Sequence, residues 1–209
     1  MEFLILNRKQ IETVNPEIPY IVIGVTEPHK SKPVVAKNKW YISDLRLYFS
    51  DIIKEEESRY PKGYLFSDQH AQILINFFLR YRSKAELCIC QCDGGVSRSA
   101  AMAAFLMELI KKDSMNILLH PKYVANTHVF FTLVNIWLIN PHYKQLDHSD
   151  SSLKFNSFDW KVLDFKIVDY IDLIQPRNYS KEDLENVNYM FEELSKISSN
   201  YTITFNHGD

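Results

Sequence analysis

Between residues 99 and 110 the chain carries a single charged side chain, Glu108, among Ser, Ala, Met, Phe, Leu and Ile. A helix over this stretch has almost no polar face to turn to water, so it must be covered on nearly every side. Covering it takes a layered structure, and the residues just before it supply one layer. Residues 87–91, Leu-Cys-Ile-Cys-Gln, form a short apolar run of strand length. The same alternation recurs along the chain. Residues 3–6 read as a buried strand, and 20–25 as a β-branched strand ended by Glu27-Pro28. Residues 45–49 read as a third strand. Residues 8–14 read as a short helix or turn closed by Pro16 and Pro19. Ser67-Asp68 offers an N-cap to a helix over 68–82, with Ala71, Leu74, Phe78 and Tyr81 on one face. A further helix is expected over 127–139. This order predicts an α/β fold: a mostly parallel central sheet flanked by helices on both faces.

The sequence has 209 residues, enough for one domain over 1–140 and a C-terminal extension over 141–209 expected to lie on the core. Two stretches interrupt the pattern: a polar, basic loop over 29–39, and a charged insertion over 54–63 that holds Pro61. In the extension, Trp160, Leu163, Ile167, Ile171 and Ile174 fit a helix, while Phe158, Trp160 and Val162 also alternate. Ser180 caps a last helix carrying Leu184, Val187, Phe191 and Leu194. Twenty-four Lys and Arg stand against 26 Asp and Glu, a net charge of -2. That balance predicts neither a nucleic-acid partner nor an anionic membrane surface. No apolar run reaches the ~18–20 residues of a membrane-spanning helix, and the opening residues predict no signal peptide. The oligomeric state stays open.

The three cysteines all fall within five residues, as Cys88, Cys90 and Cys92. An odd, clustered set is no disulfide framework and predicts a reducing compartment, the cytoplasm. C-x-C-x-C is not metal-ligand spacing, so neither a metal nor another cofactor is expected. Cys88 and Cys90 read as small buried hydrophobes. Cys92 is set apart by its C-terminal neighbours: Asp93, Gly94, Gly95, Val96, Ser97, Arg98 and Ser99, then the apolar helix. The chain holds only five glycines, and two stand here, marking backbone that needs them. A tight loop entering a helix N-terminus aims successive N–H groups at one point, where the helix dipole adds positive potential. Arg98 adds a planar fork suited to phosphate oxygens. The same field stabilises a thiolate and makes a cysteine nucleophilic.

Cys92, five residues, then Arg98 and Ser99 resemble the signature loop of the cysteine-dependent protein tyrosine and dual-specificity phosphatases. The run Cys-Asp-Gly-Gly-Val-Ser-Arg-Ser-Ala-Ala is most similar to the compact dual-specificity-like and bacterial members. The resemblance spans about 1–140. It implies phosphomonoester hydrolysis through a cysteinyl-phosphate on Cys92. Arg98 and the backbone of residues 93–98 would hold the phosphate, and Ser99 would donate to the sulfur. Asn126 resembles the asparagine that braces the loop, with Ala125 where a proline is usual. The general acid is expected from Asp51, with Asp44 and Asp68 as alternatives; Asp68 is expected to cap a helix. Gln91 stands where the family carries a histidine, which implies slower turnover, since an amide brings no charge. Asp93 would repel a polyanion, which favours a phosphorylated protein, or a small phosphomonoester, as substrate. The alternative is a catalytically weak phosphate-binding or pseudophosphatase module.

Overall fold

A computed structural model describes residues 1–52, 64–149 and 153. The expected insertion over 54–63 and the helix opened by Ser180 lie outside the described residues. Four strands, β1 (Glu2–Leu6), β2 (Tyr20–Thr26), β3 (Tyr41–Tyr48) and β4 (Leu87–Gln91), form one sheet in the order β1-β4-β2-β3. Every neighbouring pair is parallel. The helices are α1 (Arg8–Thr13), α2 (Asp68–Tyr81), α3 (Arg98–Leu109), α4 (Met115–Leu118), α5 (Thr127–Ile139) and α6 (Pro141–Ser149). The chain is therefore of the α/β class.

Alternation along the strands divides the sheet into two apolar faces. Leu6, Tyr20, Val22, Leu87 and Ile89 gather on one face around Ile11 of α1. Residues of opposite parity, such as Phe3, face the longer helices, and the Phe3 ring lies 6.4 Å from Phe78 of α2. Parallel strands covered on both faces carry continuous apolar runs, and β2 and β4 are buried along their whole lengths. Helix α3 is buried at every position from Arg98 to Met107 and again at Leu109. Ala100, Ala101, Ala103 and Ala104 are among those residues. Beyond it, Tyr143 of α6 stacks on Trp137 of α5 at 5.2 Å and donates to Asn76 Oδ1 of α2 at 2.9 Å.

The structure corrects three details of the sequence reading. Strand β3 begins at Tyr41 rather than 45, because its polar residues are satisfied locally. Tyr41 and Lys37 both bind Asp44, and Arg46 donates to Gln91. Helix α2 is capped by Ser67, whose hydroxyl accepts from His70 N, and Asp68 is its first residue. Helix α4, a single turn, gave no periodic signal. Among the described residues no helix is long and apolar enough to cross a membrane.

The start of α2 is locked by His70, whose Nδ1 accepts the Ser67 N–H at 3.1 Å. Its ring stacks on Phe66, and both lie against Phe49. Burial pushes the His70 imidazole below its ordinary value. Protonation costs more in the folded chain than in the unfolded one. The His70 contribution is thus complete above about pH 6.5 and is lost as pH falls through the lower folded value. Gln at this position keeps the capping box without a titrating group. We predict that His70→Gln flattens the fall of the melting temperature between about pH 6.5 and 5. Equal slopes in the two proteins would contradict the assignment.

Candidate active site

The C-terminal ends of β3 and β4 lead into Asp51 and the Cys92 loop, two features singled out by the sequence, at the end where ligands gather in open parallel sheets. Loop 93–97 leaves β4, bends without internal turn hydrogen bonds and enters α3 at Arg98. It is stitched to the end of β1: Cys92 N donates to Leu6 O at 3.3 Å, and Arg8 N to Asp93 O at 3.2 Å. Its other side is held by Val124 N on Val96 O (3.2 Å) and Asn126 N on Ser97 O (3.4 Å). The Cys92 sulfur lies at the floor of this loop. It receives the Gly95 N–H at 3.3 Å and sits 3.0 Å from Ser99 Oγ. Cys92 is 1% exposed, and Cys88 and Cys90 are fully buried on β4. All three are free thiols. Burial and the neighbouring Cys90 push the Cys88 thiol well above its ordinary value, which suits an inert core residue.

Arg98 is 3% exposed, and its Nη1 is engaged twice. Nη1 donates to Phe49 O at 2.7 Å and pairs with Glu27 Oε1 at 2.7 Å. Glu27 is itself fixed, since its Oε2 accepts from Ser50 Oγ at 2.5 Å. The aromatic group of Phe49, Phe66 and His70 thus sets the carbonyl that anchors Arg98. Nε has no hydrogen-bond partner among the described residues and stands 3.6 Å from Asp51 Oδ2. Glu27 was not singled out in the sequence; the signal available was an acid directly after a buried strand.

Asp51 follows β3 and reaches the loop. Its Oδ1 accepts from Ser97 Oγ and from Asn126 Nδ2, both at 2.8 Å. Asn126 also donates to Ile52 O at 3.3 Å, while its Oδ1 caps α5 by accepting Val129 N at 2.9 Å. One amide therefore joins the acid, the loop and a helix start. The other candidate acids lie elsewhere. Asp68 opens α2. Asp44 is bound to Tyr41 and Lys37, which hold its carboxyl below the usual value against the upward push of burial.

Asp93 does not carry the unmatched charge that repulsion of a polyanion would need. Lys30 Nζ lies 2.9 Å from one oxygen and Arg8 Nη1 3.5 Å from the other. Against the upward push of burial, Lys30, Arg98 and Arg8 hold this carboxyl below its ordinary value. Its charge is matched locally, so it gives no ground for repulsion of a polyanion. Lys30, from the basic loop that the sequence reads as solvated, and Arg8, which the sequence did not single out, instead line the loop. Arg8 also donates to Ser31 O at 2.6 Å, which ties loop 29–39 to the site. Among the described residues, no three His, Cys, Asp or Glu side chains come together as metal ligands would.

The Gly94-Gly95 pair divides into two different positions. Gly95 has φ +66°, and a Cβ there would lie 2.6 Å from Asn7 N and 2.8 Å from Leu6 C. Gly94 faces open space, with nothing within 4 Å of a Cβ. We predict that Gly95→Ala destabilises the fold by about 1–3 kcal/mol, while Gly94→Ala is neutral or stabilises by up to about 1 kcal/mol. Denaturant titration of both variants checks this; equal effects would contradict it.

Comparisons of this chain with protein-family models, curated proteins and solved structures give no match.

Proposed function

We propose that this protein hydrolyses phosphomonoesters, on phosphorylated tyrosine or mixed phosphoprotein substrates, through a cysteinyl-phosphate on Cys92. One observation carries the reading: the Cys92 sulfur faces the Gly95 N–H and the Ser99 hydroxyl at the start of α3, within a loop that Arg98 borders. That is the environment in which a thiolate is stabilised and a phosphate dianion is bound. Loop 93–97 has further donors to offer, since the N–H groups of Gly94, Val96 and Ser97 meet no acceptor among the described residues. Arg98 offers its Nε, which makes no hydrogen bond among the described residues, while Glu27 and Phe49 O fix the guanidinium plane. Donors fixed in advance bind a developing trigonal-bipyramidal phosphoryl group without reorganisation.

In the first step the Cys92 thiolate forms the S–P bond as the P–O bond to the leaving group breaks. The leaving oxygen takes a proton from the Asp51 carboxyl, whose Oδ2 is the less engaged of its two oxygens. In the second step Asp51, now a carboxylate, takes a proton from water as that water attacks phosphorus. The S–P bond breaks, inorganic phosphate leaves, and Ser99 Oγ–H donates to the departing sulfur at the 3.0 Å seen in the structure. The three free thiols agree with a reducing compartment, and we place the protein in the cytoplasm. Lys30 and Arg8 favour phosphosites flanked by acidic residues.

Hydrolysis of p-nitrophenyl phosphate in EDTA tests the reading. Cys92→Ser is expected to lose at least about 10³-fold in kcat, and Arg98→Lys about 10²–10³-fold. Equal rates in wild type and Cys92→Ser would end it in favour of the phosphate-binding module. The acid is tested by the leaving group. Asp51→Asn is expected to cost about 10²-fold or more on phenyl phosphate and clearly less on p-nitrophenyl phosphate, whose leaving group needs little protonation. A uniform loss on both substrates would leave Asp51 a bracing role only.

A further inference from the structure

We propose that Arg46 is a positioning residue for the phosphate loop, its guanidinium gripping the Gln91 side chain that leads into Cys92 and holding a positive charge beside the loop. The inference rests on the reading of Cys92 as a nucleophile and deepens it.

Gly24 pairs with Arg46 on one side and with Gln91 on the other, so the three residues stand at one level across three strands. The guanidinium crosses the sheet at that level. A Cβ on Gly24 would lie 2.0 Å from Arg46 Nη1 and 2.2 Å from Cζ, so the glycine is what leaves room for the crossing. Nη1 then donates to Gln91 Oε1. Gln91 is fully buried. Its Nε2 and Arg46 Nε have no hydrogen-bond partner among the described residues.

A packing role alone explains this poorly. Arg46 is half-buried with its Nε fully covered, and covering a cation even in part is costly unless a counter-charge or a strong hydrogen-bond set offsets it. Here the one hydrogen bond among the described residues goes to a neutral amide. The carboxylates that act on Arg46 are Asp44 and Asp93. The first is held by Tyr41 and Lys37, the second by Lys30 and Arg8. A cation left with spare field, bonded to the residue before the nucleophile, favours both a thiolate and a bound phosphate dianion. It also supplies next to Cys92 the charge that Gln91 lacks.

The test reads the pH dependence of Cys92 alkylation by iodoacetamide, together with the binding of inorganic phosphate by calorimetry. Both work on full-length protein without turnover. Arg98, Ser99, Asp51, Glu27 and Asp93 surround the sulfur and its loop, and Asp44, Tyr48, Arg8 and Asp93 surround Arg46. All are kept constant. Arg46→Met retains the stem and removes the charge. It is expected to move the alkylation profile to higher pH and to weaken phosphate binding about tenfold. A folded Arg46→Met with an unchanged profile and unchanged phosphate affinity overturns the proposal. Should Arg46→Met fail to fold, Arg46→Lys decides, because it keeps the charge and loses the fork. An alkylation profile close to that of wild type with kcat reduced about fivefold supports the proposal; an unchanged kcat overturns it. A wild-type protein whose turnover survives Cys92→Ser defeats the phosphatase reading instead, and Arg46 is then judged on alkylation and phosphate binding alone.

Discussion

Gly95 turns with a positive φ against the backbone of Leu6 and Asn7, and the geometry of the site depends on that contact. Only a residue without a side chain can take the turn and the close approach together. Asn7 is also the N-cap of α1. The end of β1, the start of α1 and the loop after β4 therefore meet at one point. Two further backbone bonds, at Cys92 and Arg8, keep them there. On its other flank the loop runs into α3, which the sheet and α5 bury, so neither end is free to drift. A sulfur held between two fixed ends can keep its N–H and hydroxyl neighbours in place without help from a ligand.

Among the described residues, each carboxylate around this loop is ion-paired or hydrogen-bonded. Glu27 binds Arg98, Asp51 accepts from Ser97 and Asn126, and Asp93 lies between Arg8 and Lys30. Among the described residues, Arg8, Lys30, Arg46 and Arg98 outnumber those three acids, and Asp44 beside Arg46 is taken up by Lys37 and Tyr41. The imbalance leaves a positive field at the mouth of a loop that already points N–H groups inward, and low-dielectric walls strengthen such a field. The chain as a whole is slightly acidic. The positive region is therefore a local construction of side chains brought together from α1, β3, α3 and the loop after β2.

Much of this could be read from the sequence where the signal is local. The apolar stretch 99–110 announced a buried helix, the β-branched run 20–25 a strand, and the Gly-Gly pair after Cys92 a tight loop entering that helix. Asp51 could be named because it follows a strand that propensity marks, whereas Asn126 is named only through the resemblance of its segment to a family motif. What escaped depends on partners far apart in the chain. Arg46 interrupts the alternation of β3, and only the register with Gly24 and Gln91 shows why a cation belongs there. Glu27, Arg8 and Lys30 look like ordinary surface charges until the strand order β1-β4-β2-β3 brings them to one end of the sheet. Asp93 departs from expectation for the same reason, since a carboxylate read in one dimension shows its charge and not the two cations folded against it.

The central claim is that phosphorus becomes bonded to the Cys92 sulfur during turnover. Rapid acid quench of the wild-type protein with a phosphomonoester, followed by mass spectrometry of its peptides, tests that directly. The account predicts a phosphate adduct on Cys92 that forms within one turnover, decays as inorganic phosphate appears and accumulates in Asp51→Asn. Steady turnover with no adduct on that sulfur, or an adduct on another residue, would contradict it.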